Sequence, residues 1–337
     1  MKQSVLEKDT FINTFCGVEY AMEWLKLISL NELEALPYAK RHVYFERLMA
    51  ECKSMCVSKP IWPFVVRTIG RIVPLIRPYD LVIEGEENIP SDTEVIFLCN
   101  HSNSHDFFTV DELFYKLKKQ VSPIVAWDGL SWFSRLFFRL GNGILIKRDS
   151  SESISKGVLN LCSRMLNGTD GFIFGEATWN MHPYKPMQNL HAGVTEISLI
   201  TGKPIVPVIF EYVESDGICK KETDVYKKCI VSFGKPVTVT ADESIFGQTD
   251  KLQAIMSSMR EMLWNREGVK KSDFSENDVE RYINHTYLKK YKAFGFKYNT
   301  EWESQFLLTK GQKIENEYCL DEYGNFVPGI VKGNLYG

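Results

Sequence analysis

An α/β architecture, with a largely parallel mixed sheet flanked by helices, is predicted by three observations. From Leu81 onward, short apolar runs of strand length alternate with helical patterns, and such alternation favours parallel strands joined by crossover helices. Runs such as Val95-Ile96-Phe97-Leu98-Cys99 are apolar without a break, as strands covered on both faces tend to be. Polar clusters at His101, Arg148 and Glu176 each follow such a run directly. They therefore belong just beyond the C-terminal ends of strands, where open α/β sheets bind ligands.

The elements follow in chain order. Residues 5–59 read as helices with scattered charge, interrupted near Pro37. Lys59-Pro60-Ile61-Trp62-Pro63 is a break before an apolar helix over 64–76, in which Arg67 and Arg71 stand four apart as one basic stripe. Such a helix either lies in a lipid interface with its arginines at headgroup level or packs on the core with two solvated arginines. Strands are expected over 80–84, 94–99, 123–127, 143–147, 171–174, 204–212 and 230–233, with helices over 107–119, 131–140, 150–167 and 190–201. In the helix over 150–167, Ile154, Val158, Leu161, Cys162, Met165 and Leu166 share one face, and Gly168 is placed to end it. A helix over 253–265 closes the core, and the polar tail beyond it holds one further helix over 276–290. The organisation expected is thus a helical N-terminal region (1–78) with a membrane-interface helix, a core (79–265) and a polar C-terminal extension (266–337).

Composition narrows the function classes. With 44% apolar and 13% aromatic residues in 337, the chain can bury a substantial core. A net charge of −3 and the absence of a long basic run argue against a nucleic-acid partner. Cys52 and Cys56 lack zinc-knuckle spacing and no second pair follows, so the eight cysteines read as buried thiols of a reducing cytoplasm. No secretory leader is legible at the N-terminus, and no apolar stretch approaches the roughly 20 residues that span a bilayer. The expectation is a cytoplasmic protein, peripheral on the inner face of a membrane.

The stretch Asn100-His101-Ser102-Asn103-Ser104-His105-Asp106 carries the chemistry. A carboxylate that holds one imidazole nitrogen fixes the tautomer and leaves the other nitrogen to take a proton. Five residues apart in a regular helix, the two side chains would stand about 140° apart. They can meet only if His101 lies in the loop and Asp106 in the first turn of the next helix, where an acid also suits the helix dipole. His101 and His105 with Asp106 could instead ligate a metal. With six histidines in all and no HExxH box, no metal is expected. The segment 127–140 sets a polar stripe (Asp128, Ser131, Arg135, Arg139) against bulky apolar residues, including Trp132, Phe137 and Phe138. Such a helix could serve as core packing, a membrane contact or a wall for a bound apolar chain.

Three further blocks fall in fixed order downstream: Asn142-Gly143-Ile144-Leu145-Ile146-Lys147-Arg148, Phe174-Gly175-Glu176-Ala177-Thr178-Trp179-Asn180 and Val206-Pro207-Val208-Ile209. Together the four resemble the lysophospholipid acyltransferase superfamily, whose pattern runs NHxxxxD, GxIFIxR, FPEGTRS and a VP strand. Asn142 stands where the family has Gly, and Gly175, Ala177, Trp179 and Asn180 where it has Pro, Gly, Arg and Ser.

The resemblance implies a glycerol-phosphate-acyltransferase-like sandwich. It also implies transfer of a fatty acyl group from acyl-CoA or an acylated carrier protein to a hydroxyl acceptor, with no prosthetic group. By the same resemblance His101 is the catalytic base and Asp106 its orienter. Arg148, Glu176, Thr178 and Trp179 are substrate-binding. The expected partners are the thioester donor, a lipid or glycan acceptor and a membrane surface. Trp179 cannot supply the phosphate-binding fork of the family's arginine; it either stacks on a sugar ring or apolar acceptor or is a packed aromatic. The alternatives are O-acylation of a glycan or other non-phosphate alcohol, and a silent lipid-binding protein of the same fold.

Overall fold

Seven strands form one sheet in the order β1-β7-β6-β2-β5-β3-β4. The computed structural model describes residues 27–55, 68, 70–72, 74–75, 79–102, 106–127, 130, 132–177, 180, 186–214, 226–268, 317–320 and 326–329. Within these, the strands are β1 (Asp80–Glu84), β2 (Ile96–Cys99), β3 (Val121–Ala126), β4 (Ile144–Ile146), β5 (Asp170–Phe174), β6 (Ile205–Glu214) and β7 (Tyr226–Phe233). Only β6 and β7 pair antiparallel; the other pairings in this sheet are parallel. The α/β class and the largely parallel mixed sheet are as the sequence predicts.

The helices are α1 (Leu30–Ala35), α2 (Tyr38–Ser54), α3 (Asp106–Leu117), α4 (Trp132–Leu140), α5 (Ser151–Leu166), α6 (Gly193–Thr201) and α7 (Ile245–Glu267). Local chemistry sets their ends. Ser29 and Glu32 form a capping box at α1, and Pro37 separates α1 from α2. Ser150 caps α5, and Gly168 leaves it at φ 93°. Helix α7 starts eight residues before the sequence pattern does, because Ser244 caps it at Gly247. Of the apolar helix expected over 64–76, residues 68, 70–72 and 74–75 are described and helical. The helix expected over 276–290 lies outside the described residues. What is described of the C-terminal extension is an antiparallel pair, β8 (Glu317–Leu320) with β9 (Phe326–Gly329).

Alternation along β2 divides the core. Ile96 and Leu98 face one layer, with α2, α5, α6 and α7; Val95, Phe97 and Cys99 face the other, with α3. Helix α5 is buried more widely than one face: Leu159 joins the core, whereas Ile154 is 38% exposed. It packs on α2 and α6 as well as on β4 and β5, so a single-stripe pattern underestimates its contacts. The N-terminal helices share this core, since Leu33, Phe45, Leu48 and Cys52 are all buried in it. Arg41, also buried, donates to the carbonyls of Leu36, Glu34 and Glu243, fixing the α1–α2 corner against the approach to α7.

The two prolines of the seven-stranded sheet sit where no ladder bond is lost. Pro123 lies where β3 changes partner from β5 to β4. Pro207 turns its backbone toward β7, whose pairing with β6 begins only at Val208; its carbonyl still accepts from the Gly234 N–H.

One buried acid strains this core. Glu196 on α6 is 5% exposed, its Oε1 has no hydrogen-bond partner, and burial pushes its pKa up to about 7. Between about pH 4.5 and 7 the folded chain holds a proton that the unfolded chain releases, so this group's contribution to stability falls as pH rises and levels off above 7. The loss amounts to about 3 kcal/mol at most. Glu196→Gln should therefore gain on the wild type progressively from pH 5 to pH 8 in denaturant titrations; a pH-independent difference would contradict this origin.

Candidate active site

Parallel β2, β5, β3 and β4 end on one edge, which brings three of the four sequence blocks together. At the exit of β2, Asn100 replaces a strand residue. Its Nδ2 donates to the Phe210 carbonyl at 3.0 Å and its Oδ1 accepts the Phe210 N–H at 2.7 Å, extending the β2–β6 ladder by one side chain. The chain then turns, and His101 and Asp106 meet as the spacing requires, one in the loop and the other in the first turn of α3. Nδ1 and Oδ2 are 2.7 Å apart. A carboxylate only accepts, so the proton lies on Nδ1 and Nε2 is the atom able to take another. Oδ2 also accepts the Ser102 N–H at 2.9 Å, which fixes the loop that carries the imidazole. The ring stacks on Phe174 at 4.0 Å and 14°, with Phe107 against it edge-on at 5.6 Å. Asp106 is fully buried and His101 8% exposed. Such a pair can withdraw a proton from a bound hydroxyl and return it to a leaving group.

Glu176, past the end of β5, is wholly buried. Oε1 accepts the His101 N–H at 2.9 Å and Oε2 the Gln188 N–H at 2.5 Å, while the Asn180 N–H donates to the His101 carbonyl. Glu176 and Asn180 thus hold the backbone of His101 from both sides, and Glu176 ties the Gln188 segment to it. Beneath them Arg260 pairs with Glu211 at 2.7 Å and donates to the Pro186 carbonyl. Burial opposes the Arg260 charge, but Glu211 and then Glu176 outweigh it and hold the guanidinium above its ordinary pKa.

Several departures from the family pattern have local explanations. Asn142 takes φ 68°, a left-handed conformation open to Gly and tolerated by Asn. Its Oδ1 and carbonyl receive Nη1 of Arg164, a buried guanidinium whose pKa burial lowers to about 10. Ala177 holds φ 53°, a position where Gly carries no penalty. Gly175 has no room for a side chain: a Cβ would lie 2.5 Å from Leu98 Cδ1 and 2.8 Å from Leu190 Cδ2. Its N–H, which Pro would lack, donates to the Cys99 carbonyl.

Arg148 reaches the same edge, with Nη1 3.3 Å from the Ala177 carbonyl. His191 is its neighbour. Burial and then the Arg148 charge lower the His191 pKa to about 4, so this imidazole is neutral at ordinary pH. His191 is half-buried by long-range packing, which leaves no local signal in the sequence. Thr178, Trp179, His105, His182 and Lys185 lie outside the described residues.

An apolar groove opens beside the imidazole. Phe107 and Phe174, both against the His101 ring, line it with Phe137, Phe138 and Phe172. The amphipathic α4 therefore contributes two phenylalanines to this wall. Its arginines turn elsewhere: Arg135 lies 3.9 Å and Arg139 5.6 Å from the centre of the Trp127 ring.

The bridge at Glu176 gives a direct test. Glu176→Gln would present an NH₂ to one of two buried N–H groups. It should lower stability by about 1–3 kcal/mol, the usual cost of an unmatched buried donor. Turnover should fall with it as His101 loses its anchor. Denaturant unfolding and single-turnover rates would check both; an unchanged midpoint would discount the bridge.

A comparison with curated proteins gives no match. Among solved structures, the crystal structure of the 1-acyl-sn-glycerophosphate (LPA) acyltransferase PlsC from Thermotoga maritima is 19% identical, covering 69% of this chain and 97% of that one at a TM-score of 0.44. Residues 80–211 match the model of the family described as Acyltransferase. That span holds the His101–Asp106 pair, Arg148 and Glu176, so the likeness to this family covers the residues of the candidate site.

Proposed function

We propose that this enzyme moves a fatty acyl group from a thioester, acyl-CoA or an acylated carrier protein, to the hydroxyl of a lipid acceptor. The observation that carries the reading is the 2.7 Å His101–Asp106 contact beside an apolar groove, two of whose phenylalanines touch the imidazole. His101 Nε2 takes the acceptor's hydroxyl proton as the oxygen attacks the thioester carbonyl. The tetrahedral intermediate then collapses and expels the thiolate, which recovers the proton from the imidazolium. Asp106 holds the tautomer. Glu176 acts through the His101 backbone, and Arg148, with Thr178 and Trp179, takes the acceptor. The groove holds the acyl chain, where each buried methylene contributes about 0.8 kcal/mol. No prosthetic group enters these steps.

Trp179 favours a second reading of the acceptor. Losing a charge-assisted contact of about 1.5–3 kcal/mol shifts preference away from phosphate-bearing acceptors toward a neutral alcohol or sugar. With labelled acyl-CoA, His101→Ala should lower turnover by about 10²–10⁴ without unfolding the protein. Asp106→Asn should also be severe. Near-normal turnover by His101→Ala would refute the assignment. Offering lysophosphatidate and a neutral alcohol in that assay decides the acceptor: selective acylation of lysophosphatidate would restore the phosphate role.

The enzyme works on a membrane surface. Among the described residues no helix is long and apolar enough to cross a membrane. Leu75 is 83%, Trp132 56% and Ile72 48% exposed, an apolar presentation suited to a lipid interface. Ile72→Glu with Leu75→Glu should abolish sedimentation with phospholipid vesicles, and unchanged sedimentation of the double variant would exclude this attachment.

A further inference from the structure

Among the described residues, the groove beside the catalytic pair has one polar side chain in an otherwise apolar wall. Helix α3 turns Phe107, Val110 and Asp111 toward it, residues i, i+3 and i+4 of one face, opposite Ile124, Phe138 and Phe174. Among the described residues Asp111 makes no hydrogen bond and no ion pair, in contrast to its neighbour Glu112, which is paired with Lys116. Asp111 is half-buried, and burial pushes its pKa up to about 7. A wall for plain hydrocarbon gains nothing from a carboxyl, since an unmatched polar group in apolar surroundings is destabilising.

We propose that Asp111 reads a hydroxyl on the acyl chain, so that the preferred donor is a hydroxyacyl thioester. A protonated carboxyl donates and accepts one hydrogen bond each, and an alcohol can answer both. A cationic group would have to shed its water among the five phenylalanines of the lining, which disfavours an amine. Phe107 touches the His101 ring, and Asp111 lies one helical turn further along α3, about 6 Å. The hydroxyl therefore belongs several carbons from the reacting carbonyl. This inference rests on the acyl-transfer reading for the groove's role but is separable from it by binding.

The test uses the full chain and non-hydrolysable thioether analogues of acyl-CoA of one length. One is unsubstituted, and the others carry a single hydroxyl at successive positions in the first half of the chain. Calorimetry should give at least one hydroxylated analogue binding about 5- to 100-fold tighter than the plain one, the range for leaving a buried hydrogen-bonding group unmatched. Asp111→Leu should abolish that preference and Asp111→Asn retain part of it. Equal or weaker binding of every hydroxylated analogue by the wild type would overturn the proposal without any variant, as would a preference that survives Asp111→Leu or a failure to bind any analogue. Turnover of the matching thioesters separates the two readings. Hydroxyl-selective binding without transfer refutes acyl transfer alone; efficient transfer without hydroxyl selectivity refutes the role of Asp111 alone.

Discussion

Two backbone N–H groups meeting one buried carboxylate set the geometry on which the candidate site depends. Glu176 leaves β5 with both oxygens inside the protein, one held by His101 and the other by Gln188. The exit of β2 and the return segment before α6 are thus fixed to the exit of β5. The imidazole inherits its position from its own main chain, and Asp106 sets only its rotation and tautomer. Because the environment is dry, these contacts are strong when satisfied and costly when one partner is missing. The buried Arg260–Glu211 pair extends the same network below, so that the charge of Glu176 faces a cation across the floor of the site.

The fold class, the strands of the seven-stranded sheet and the meeting of His101 with Asp106 were legible in the sequence because each rests on local pattern; the β8–β9 pair was not read from it. Period and apolarity define strands covered on both faces, and a five-residue spacing admits only the loop-to-helix arrangement. The role of Glu176 was less legible. Its carboxylate answers backbone groups 75 and 12 residues away in the chain, and backbone donors carry no sequence signature. The arginines of α4 read as a stripe for lipid headgroups, yet the structure folds Arg135 onto the face of Trp127. Helical periodicity gives the side of the helix but not the neighbour waiting there.

The departures from the family pattern are equally instructive. Asn142 and Ala177 stand where glycine is usual, and both hold positive φ. The backbone shape has been kept while the residue changed: Asn142 is supported by Arg164 through both its oxygens, whereas Ala177 accepts the strain of a left-handed turn beside Arg148. Motif letters at such positions record a dihedral angle more than a chemical group.

The hydrogen bond from Arg41 to the Glu243 carbonyl joins residues 202 apart in the chain, and β1 must likewise wait for β7. During synthesis on the ribosome, the apolar faces of α1 and α2 emerge long before the segment that seals them. Closure of such non-local contacts is slow, and the waiting surfaces are exposed to aggregation. The first helices therefore stay uncovered until α5 and α6, on which α2 packs, have been made, and the nascent chain has reason to engage a chaperone before it ever meets a substrate.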